Sequence, residues 1–430
     1  MEKGRIAKNA GWIVGLQLVK SVFGIVISML TARFLGPSDF GVINYAASIA
    51  SFVAPLVQLG FTGVLVQELV NDPEKEGEIL GTSIALSCCA SVACIVGVFL
   101  FAATVNRGET ETIIVCTLYS VLLIFQALEM MVYWFQAKLL SKYSAIVSLT
   151  AYVVISAYKT FLLVAQKNIY WFAVSNALDH MLIAVGLLIV YGKLGGARLT
   201  FCRKIAKNLL SKSKYYILSD MMVTIFAQTD KIMLKLMTGD AATGYYSAAV
   251  TCAGMTGFVF SAIIDSFRPV IFDCKKHGEQ QFEKNMVRLY GIVIYLSLLQ
   301  SLVVSLASKW IVLILYGADY IPAIAPLRLI VWYTTFSYLG SVRNIWILAE
   351  NKQQYLWSIN LSGALTNAVL NYWLIPIMGT MGAALASLIT QIFTNVITGL
   401  VIRPIRRTNL LMLQALDPRG MVCALKHILQ

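Results

Sequence analysis

Apolar residues run through this chain in long blocks broken only by short polar segments. Twelve blocks of about 20 residues or more can be marked, each long enough for a helix that crosses a membrane. Six fall in the first half, at roughly 10–33, 41–66, 80–104, 112–137, 143–165 and 170–191. Six more fall at roughly 215–238, 242–267, 287–307, 323–349, 355–376 and 380–402. The clearest pair is the last: Tyr355 to Ile402 is 48 residues without a charge, interrupted by Pro376, Gly379 and Gly382. Two helices joined by a tight turn account for it.

The two halves echo each other. Gly36-Pro37-Ser38-Asp39-Phe40-Gly41, followed by Val42-Ile43-Asn44-Tyr45-Ala46-Ala47, is matched by Gly239-Asp240-Ala241-Ala242-Thr243-Gly244 and then Tyr245-Tyr246-Ser247-Ala248-Ala249, at an offset of 203. Trp134, Ala137 and Tyr143 fall on Trp346, Ala349 and Tyr355 at an offset of 212. Copies of one unit of about 200 residues, in so apolar a chain, point to a transporter built from repeats. Each copy holds six spans, an even number, so both enter the membrane from the same side. The expected architecture is an all-α membrane protein with about 12 transmembrane helices. They form two six-helix bundles, related by a pseudo-twofold axis along the membrane normal and facing a central cleft. The expected segments are an N-terminal bundle over 1–192, a basic cytoplasmic linker over 193–214, a C-terminal bundle over 215–405 and a cytoplasmic tail over 406–430.

Composition agrees: 58% of residues are hydrophobic, 13% are charged, and mean hydropathy is +0.75. Soluble domains carry roughly 25% charge. The net charge of +13 does not indicate nucleic acid, because the basic residues sit in short loops between spans. With the N-terminus inside, the inner segments hold about 24 Lys and Arg. The outer ones hold Arg33, Arg107, Lys167 and Lys309. This split places both termini in the cytoplasm. Lys3, Arg5 and Lys8 precede a first block with no small-residue cleavage site, so that block is expected to be retained as a span. The eight cysteines lie mostly inside apolar blocks, and the three histidines form no metal-spaced cluster, so no metal or cofactor is expected. The loops are too short for a soluble catalytic or nucleotide-binding domain, so an enzyme is not expected either.

The informative residues are charges inside spans, because each costs at least about 2.5–3.5 kcal/mol at the bilayer centre. Lys20 lies near the middle of the first span, flanked by Gly15 and Gly24. The seventh span carries Asp230, Lys231 and Lys235, the two lysines four apart and on one face. Asp265 and Arg268 sit three apart at the end of the eighth. Lys159, Asp179, Glu129, Arg328 and Arg343 are further intramembrane charges, and Arg33 closes the first span. Basic groups predominate. A cleft lined this way favours an anionic head group, because a low dielectric strengthens each attraction.

The stretch Arg33-Phe34-Leu35-Gly36-Pro37-Ser38-Asp39-Phe40-Gly41-Val42 resembles the first loop of bacterial polysaccharide-export flippases, the oligosaccharide flippases of the multidrug/oligosaccharidyl-lipid/polysaccharide superfamily. The span bearing Lys20, Phe61-Thr62-Gly63 and Thr229-Asp230-Lys231-Ile232-Met233-Leu234 fit as well, and the resemblance covers roughly residues 5–405. It implies movement of undecaprenyl-pyrophosphate-linked oligosaccharide units from the inner to the outer leaflet of the bacterial cytoplasmic membrane, for capsule, O-antigen or exopolysaccharide. The implied partners are the lipid-linked substrate, membrane lipids, and the polysaccharide polymerase and export machinery. In such flippases basic cavity residues hold the pyrophosphate. Lys20 is similar in position, with Arg33, Lys231, Lys235 and Arg268 as further candidates. Asp230, Asp179 and Asp265 are candidates for an ion or charge relay. A cation-coupled multidrug exporter of the same fold and a lipid II flippase are the competing expectations.

Overall fold

The computed structural model describes residues 2–416, and on the first helix it describes the side chains of Lys20 and of residues from 23 onward. Among the described residues helix is the only regular secondary structure. The chain divides into two compact units, Met1–Gln228 and Thr229–Gln430.

Each expected span falls on a helical stretch. The first two are one run, Glu2–Gln58, broken at Gly36. Glu76–Val105, Thr110–Ala137 in short pieces, Ser141–Val164 and Ile169–Lys193 complete the first set. The second comprises Arg203–Thr238, the pair Asp240–Gly254 and Gly257–His277 bent by 44°, Glu279–Leu315, Ile324–Ala349, Leu356–Met378 and Thr380–Val401. By length and apolar character alone, seven helices qualify as membrane spans among the described residues, or eight with the bent pair. Arg203–Thr238, Ile324–Ala349 and Leu356–Met378 do not, because they carry the ionic, amide and hydroxyl groups that each unit encloses.

The repeat is written in the backbone as well as in the sequence. Gly36 has φ 75°, ψ 173° and Gly239 has φ 97°, ψ −175°, a conformation open to glycine and strained for any residue with a Cβ. Both start a new helix after an apolar one. Left-handed residues follow at Gly108 and Gly317, Leu139 and Asn351, and Gln166 and Gly379, each pair at corresponding helix ends. At Leu139 and Asn351 the same cap forms. The Leu140 N–H reaches the Phe135 carbonyl (2.7 Å), and the Lys352 N–H reaches that of Ile347 (2.9 Å), as in a Schellman ending. Beside this cap an ion pair keeps its place and reverses its sign. Lys138 meets Glu76 at 2.8 Å in the first unit, whereas Glu350 meets Lys275 in the second.

The expected linker over 193–214 is not a free loop. Its first part lies along Glu76–Val105. The Thr200 N–H donates to the Gly77 carbonyl (3.2 Å) and the Cys202 N–H to Thr82 Oγ1 (2.9 Å). Two glycines one turn apart permit this. A Cβ on Gly77 would lie 2.4 Å from the Arg198 carbonyl oxygen, and one on Gly81 2.5 Å from the Thr200 backbone. Its second part is the start of Arg203–Thr238, where Lys212 pairs with Glu68 at 2.7 Å. The unit boundary therefore falls near 228, beyond the linker, because the linker packs as part of the first unit.

The expected tail over 406–430 begins with a docked helix, Arg406–Gln414, while residues 417–430 lie outside the described ones. Arg407 grips Glu283 through two hydrogen bonds of 2.5 and 2.6 Å, Tyr290 bonds Thr408 at 2.7 Å, and Leu411 and Met412 enter the second unit's core. This helix also steadies a π-helical turn at Phe393–Ile397 in the last span. Such a turn leaves carbonyls unpaired along the helix. Asn409 Nδ2 takes the Val396 carbonyl at 2.6 Å, and Arg343 Nη1 takes that of Thr394 at 2.7 Å.

Gly81 and Gly97 lie on the same helix, but nothing stands within 4 Å of a Cβ on Gly97. Gly81→Ala is expected to lower stability by about 1–3 kcal/mol through overpacking. Gly97→Ala should leave it unchanged or raise it by up to about 1 kcal/mol through helix propensity. Thermal melts of the two purified variants in detergent check this, and equal melting temperatures would contradict the close packing of the linker.

Candidate substrate cavity and buried carboxylate

Three helices of the first unit each turn one polar stripe to the same place. On Glu2–Gln58 it is Lys20, Gly24, Ser28 and Thr31. On Ser141–Val164 it is Tyr152, Ser156 and Lys159, and on Ile169–Lys193 it is Asn176 and Asp179. These spacings of three or four keep each set on one helix face. Between the stripes lies a cavity of about 310 Å³, which Asn44 also lines from beyond the Gly36 break.

The cavity's polar groups are partly matched to each other. Lys159 Nζ donates to Asn176 Oδ1 at 3.0 Å. Asp179 lies within electrostatic reach of Lys159 and Tyr152. Its Oδ1 is buried and has no hydrogen-bond partner among the described residues. Lys20 stands at the side of the cavity, its ammonium 5.9 Å from the centroid of the Tyr152 ring. Gly24, one turn on, leaves room for that ring, since a Cβ there would lie 3.2 Å from Tyr152 Oη. A cation facing an aromatic ring gains about 0.5–2 kcal/mol. That is less than an ammonium gains from a carboxylate in the same setting, so Lys20 keeps much of its attraction for an anion. A smaller cavity of about 160 Å³ lies elsewhere in this unit, bordered by Glu129, which meets His180 Nδ1 at 2.7 Å.

The second unit encloses a carboxylate. Asp230, only 7% exposed, accepts hydrogen bonds from Tyr246 Oη (2.5 Å), Asn371 Nδ2 (2.6 Å) and Ser387 Oγ. Asn371 donates also to Asn367 at 3.0 Å. Helices Arg203–Thr238, Asp240–Gly254, Leu356–Met378 and Thr380–Ile392 thus converge on one acid. Three donors offset the cost of burying a carboxylate in a low-dielectric place.

The two sites occupy corresponding positions of the repeat. Residues 27 and 230, and 43 and 246, are 203 apart, and residues 159 and 371 are 212 apart. In the first unit Ile27, Ile43 and Lys159 line the open cavity. In the second Asp230, Tyr246 and Asn371 meet at the same place in one hydrogen-bond network.

The remaining predicted residues are placed as follows. Lys235 is buried against Asp240 of the repeated turn, Nζ to Oδ1 2.5 Å, with its side chain 2% exposed. Lys231 is half-buried beside Asp230. Asp265 and Arg268 pair with each other at 3.0 Å on an accessible helix face. Arg33 is exposed near the Gly36 break. Of the predicted set, the structure gathers Lys20 and Asp179 around the first cavity. Sequence reasoning missed Tyr152, Asn176, Asn371, Ser387 and Tyr246. Asn367 and Asn371, two amides four apart in a charge-free span, were the available signal for the second site.

Residues 6–275 match the family described as polysaccharide biosynthesis protein. An uncharacterized membrane protein of Methanocaldococcus jannaschii, MJ1068, is 23% identical over 236 residues, which cover 51% of this chain and 46% of that protein; the chain spans about half the length of this relative. Among solved structures, the lipid II flippase MurJ in an inward closed conformation superposes with a TM-score of 0.76 at 14% identity, over 93% of this chain and 90% of that one. The eukaryotic MATE transporter AtDTX14 gives 0.60 at 13% identity, over 96% and 99%. An inward-facing multidrug resistance MATE family transporter of the MOP superfamily gives 0.56 at 12% identity, over 90% and 96%. The fold is therefore that of MurJ and the MATE transporters, and the chain is a multi-pass membrane protein that belongs to the polysaccharide biosynthesis protein family.

Proposed function

We propose that the chain is a flippase that carries oligosaccharide units linked to undecaprenyl pyrophosphate from the inner to the outer leaflet of a bacterial cytoplasmic membrane. The glycan would serve surface polysaccharide assembly, with polymerase and export machinery acting next and with both chain termini in the cytoplasm. The observation that carries this reading is Lys20. It is an ammonium in the middle of an apolar helix, set against a tyrosine ring and beside a polar cavity. Family membership and a fold shared with a lipid II flippase support it.

The physics of the cargo fits. An oligosaccharide unit carries about ten hydroxyls, each costing on the order of 1–3 kcal/mol to bury unpaired. Bare passage through lipid is thereby closed to it, while the polyprenyl tail stays in lipid without cost. A polar path through protein, open to the bilayer for the tail, meets both demands. The pyrophosphate carries about two negative charges. With the inside negative, its outward movement gains up to about 4–5 kcal/mol per 100 mV. Alternating exposure of the binding groups to the two sides, with basic residues on the pyrophosphate, is the proposed cycle. Lys231, Arg33 and Arg268 are secondary contacts in it, and Asp230 is the carboxylate available to couple an ion.

A cation-coupled multidrug exporter is the second reading, favoured by the enclosed Asp230 and by the MATE likeness. A lipid II flippase is a near neighbour in cargo.

Deletion of the gene is expected to trap undecaprenyl-linked glycan in the inner leaflet and to abolish the surface polysaccharide. Lys20→Ala at normal protein level should reproduce that loss, and Lys20→Arg should restore a large part of export. Wild-type glycan at the cell surface with Lys20→Ala would remove Lys20 from the mechanism. Asp230→Asn separates the readings. An exporter would lose resistance to cationic dyes with its polysaccharide unchanged, whereas the flippase reading expects dye tolerance to stay as in the parent. A lipid II flippase would instead rescue cells arrested in cell-wall synthesis.

A further inference from the structure

Building on the flippase reading, we infer that the first unit's cavity is a sugar-binding pocket, which holds one pyranose ring of the cargo next to the charged head group on Lys20. Four observations converge on it.

The first is room. At about 310 Å³ the cavity stands at the lower edge of small-molecule sites, roughly 300–1,000 Å³. At about 30 Å³ for a water, it holds roughly ten non-hydrogen atoms. One hexose ring has about a dozen, so a single ring fills it.

The second is chemistry of the wall. Tyr119, Tyr152 and Phe172 put aromatic rings in the wall, against which the C–H groups of a sugar ring pack, while Asn44, Asn176 and Asp179 bring amide and carboxylate groups. Neighbouring hydroxyls are read by such mixed donors and acceptors, because each hydroxyl both gives and takes a hydrogen bond. The wall suits a neutral polyol better than a flat cationic drug. Among the described residues its one carboxylate, Asp179, is within reach of Lys159, whose ammonium would repel a cation.

The third is unused hydrogen-bonding capacity. Asp179 Oδ1 is buried and without a partner among the described residues, and a buried acceptor left unmatched costs about 1–3 kcal/mol. A ligand hydroxyl at that point removes the cost. Asp230, at the corresponding place in the second unit, has three donors. At this place the first unit combines a cavity with a buried acceptor that has no partner among the described residues.

The fourth is placement. Lys20 and the cavity share Tyr152 as a common wall, with the ammonium 5.9 Å from the ring centroid. An anion held by Lys20 therefore sits beside the cavity's occupant. In a sugar–pyrophosphate ester the ring and the phosphate are joined by one oxygen, so the two groups must bind at adjoining sites.

The test uses the purified full-length chain in detergent and a panel of methyl glycosides: glucoside, galactoside, mannoside and N-acetylglucosaminide. Saturation-transfer NMR is expected to detect at least one of them on the wild type at millimolar concentration. Ser28→Leu fills the cavity without touching a charge, and Asp179→Asn removes the unmatched acceptor's charge; each should weaken that glycoside by about tenfold or more. Binding of inorganic pyrophosphate should fall with Lys20→Ala and stay within about twofold for Ser28→Leu. No glycoside bound by a folded wild type, or equal binding by Ser28→Leu, overturns the pocket. So does an Asp179→Asn variant that changes only the pH profile of transport and keeps its glycoside preference, since the carboxylate would then be a proton site. The flippase reading fails separately. Glycosides that bind, with no movement of lipid-linked glycan in vesicles, would leave the pocket and remove the transport; glycan that moves equally fast in wild type and Ser28→Leu would leave the transport and remove the pocket.

Discussion

A chain surrounded by lipid must settle every polar group within itself, and most of this structure follows from that demand. Unmatched groups in hydrocarbon cost several kcal/mol each. The charges that remain inside spans are accordingly held by specific partners. Asp230 has three donors, Lys235 has Asp240, Arg343 has the Thr394 carbonyl, and Lys159 has Asn176. Even the π-helical turn of the last span persists because Arg343 and Asn409 take up the carbonyls it releases. Asp179 Oδ1 is buried without a partner among the described residues, and Lys20 faces an aromatic ring. Both lie at one cavity of the first unit.

Duplication explains how one half could specialise. Two copies share their helix ends, down to a glycine-only conformation at Gly36 and Gly239 and a left-handed residue at Leu139 and Asn351. What changed between them is what the helices enclose. Isoleucines at 27 and 43 line a cavity in the first unit, where aspartate and tyrosine at 230 and 246 bond to each other in the second.

The sequence made some of this legible and hid the rest for physical reasons. Glycine at 36 and 239 betrayed the repeat because no other residue takes that backbone without strain. Leu139, Gln166 and Asn351 adopt left-handed angles with side chains that do not announce them. The linker looked like a solvated loop because its charge was visible, while its packing partners, Gly77 and Gly81, looked like ordinary small residues in a span. Lys20, Asp179 and Asp230 were visible because a charge in hydrocarbon is costly wherever it sits. Tyr152, Asn371 and Ser387 were not, because a tyrosine, an amide or a hydroxyl in a span becomes informative only once folding sets it against a charge.

The proposed activity is movement of a lipid-linked glycan between leaflets. The direct measurement reconstitutes the purified protein in sealed vesicles that contain undecaprenyl-pyrophosphate-linked glycan with a fluorescent label, and follows its exposure to a membrane-impermeant quencher. With a flippase present, quenching is expected to grow with time beyond the half of the label exposed at the start and beyond protein-free vesicles, and to track the amount of protein. Quenching that stays at the protein-free level, with folded protein in the vesicles, would contradict it.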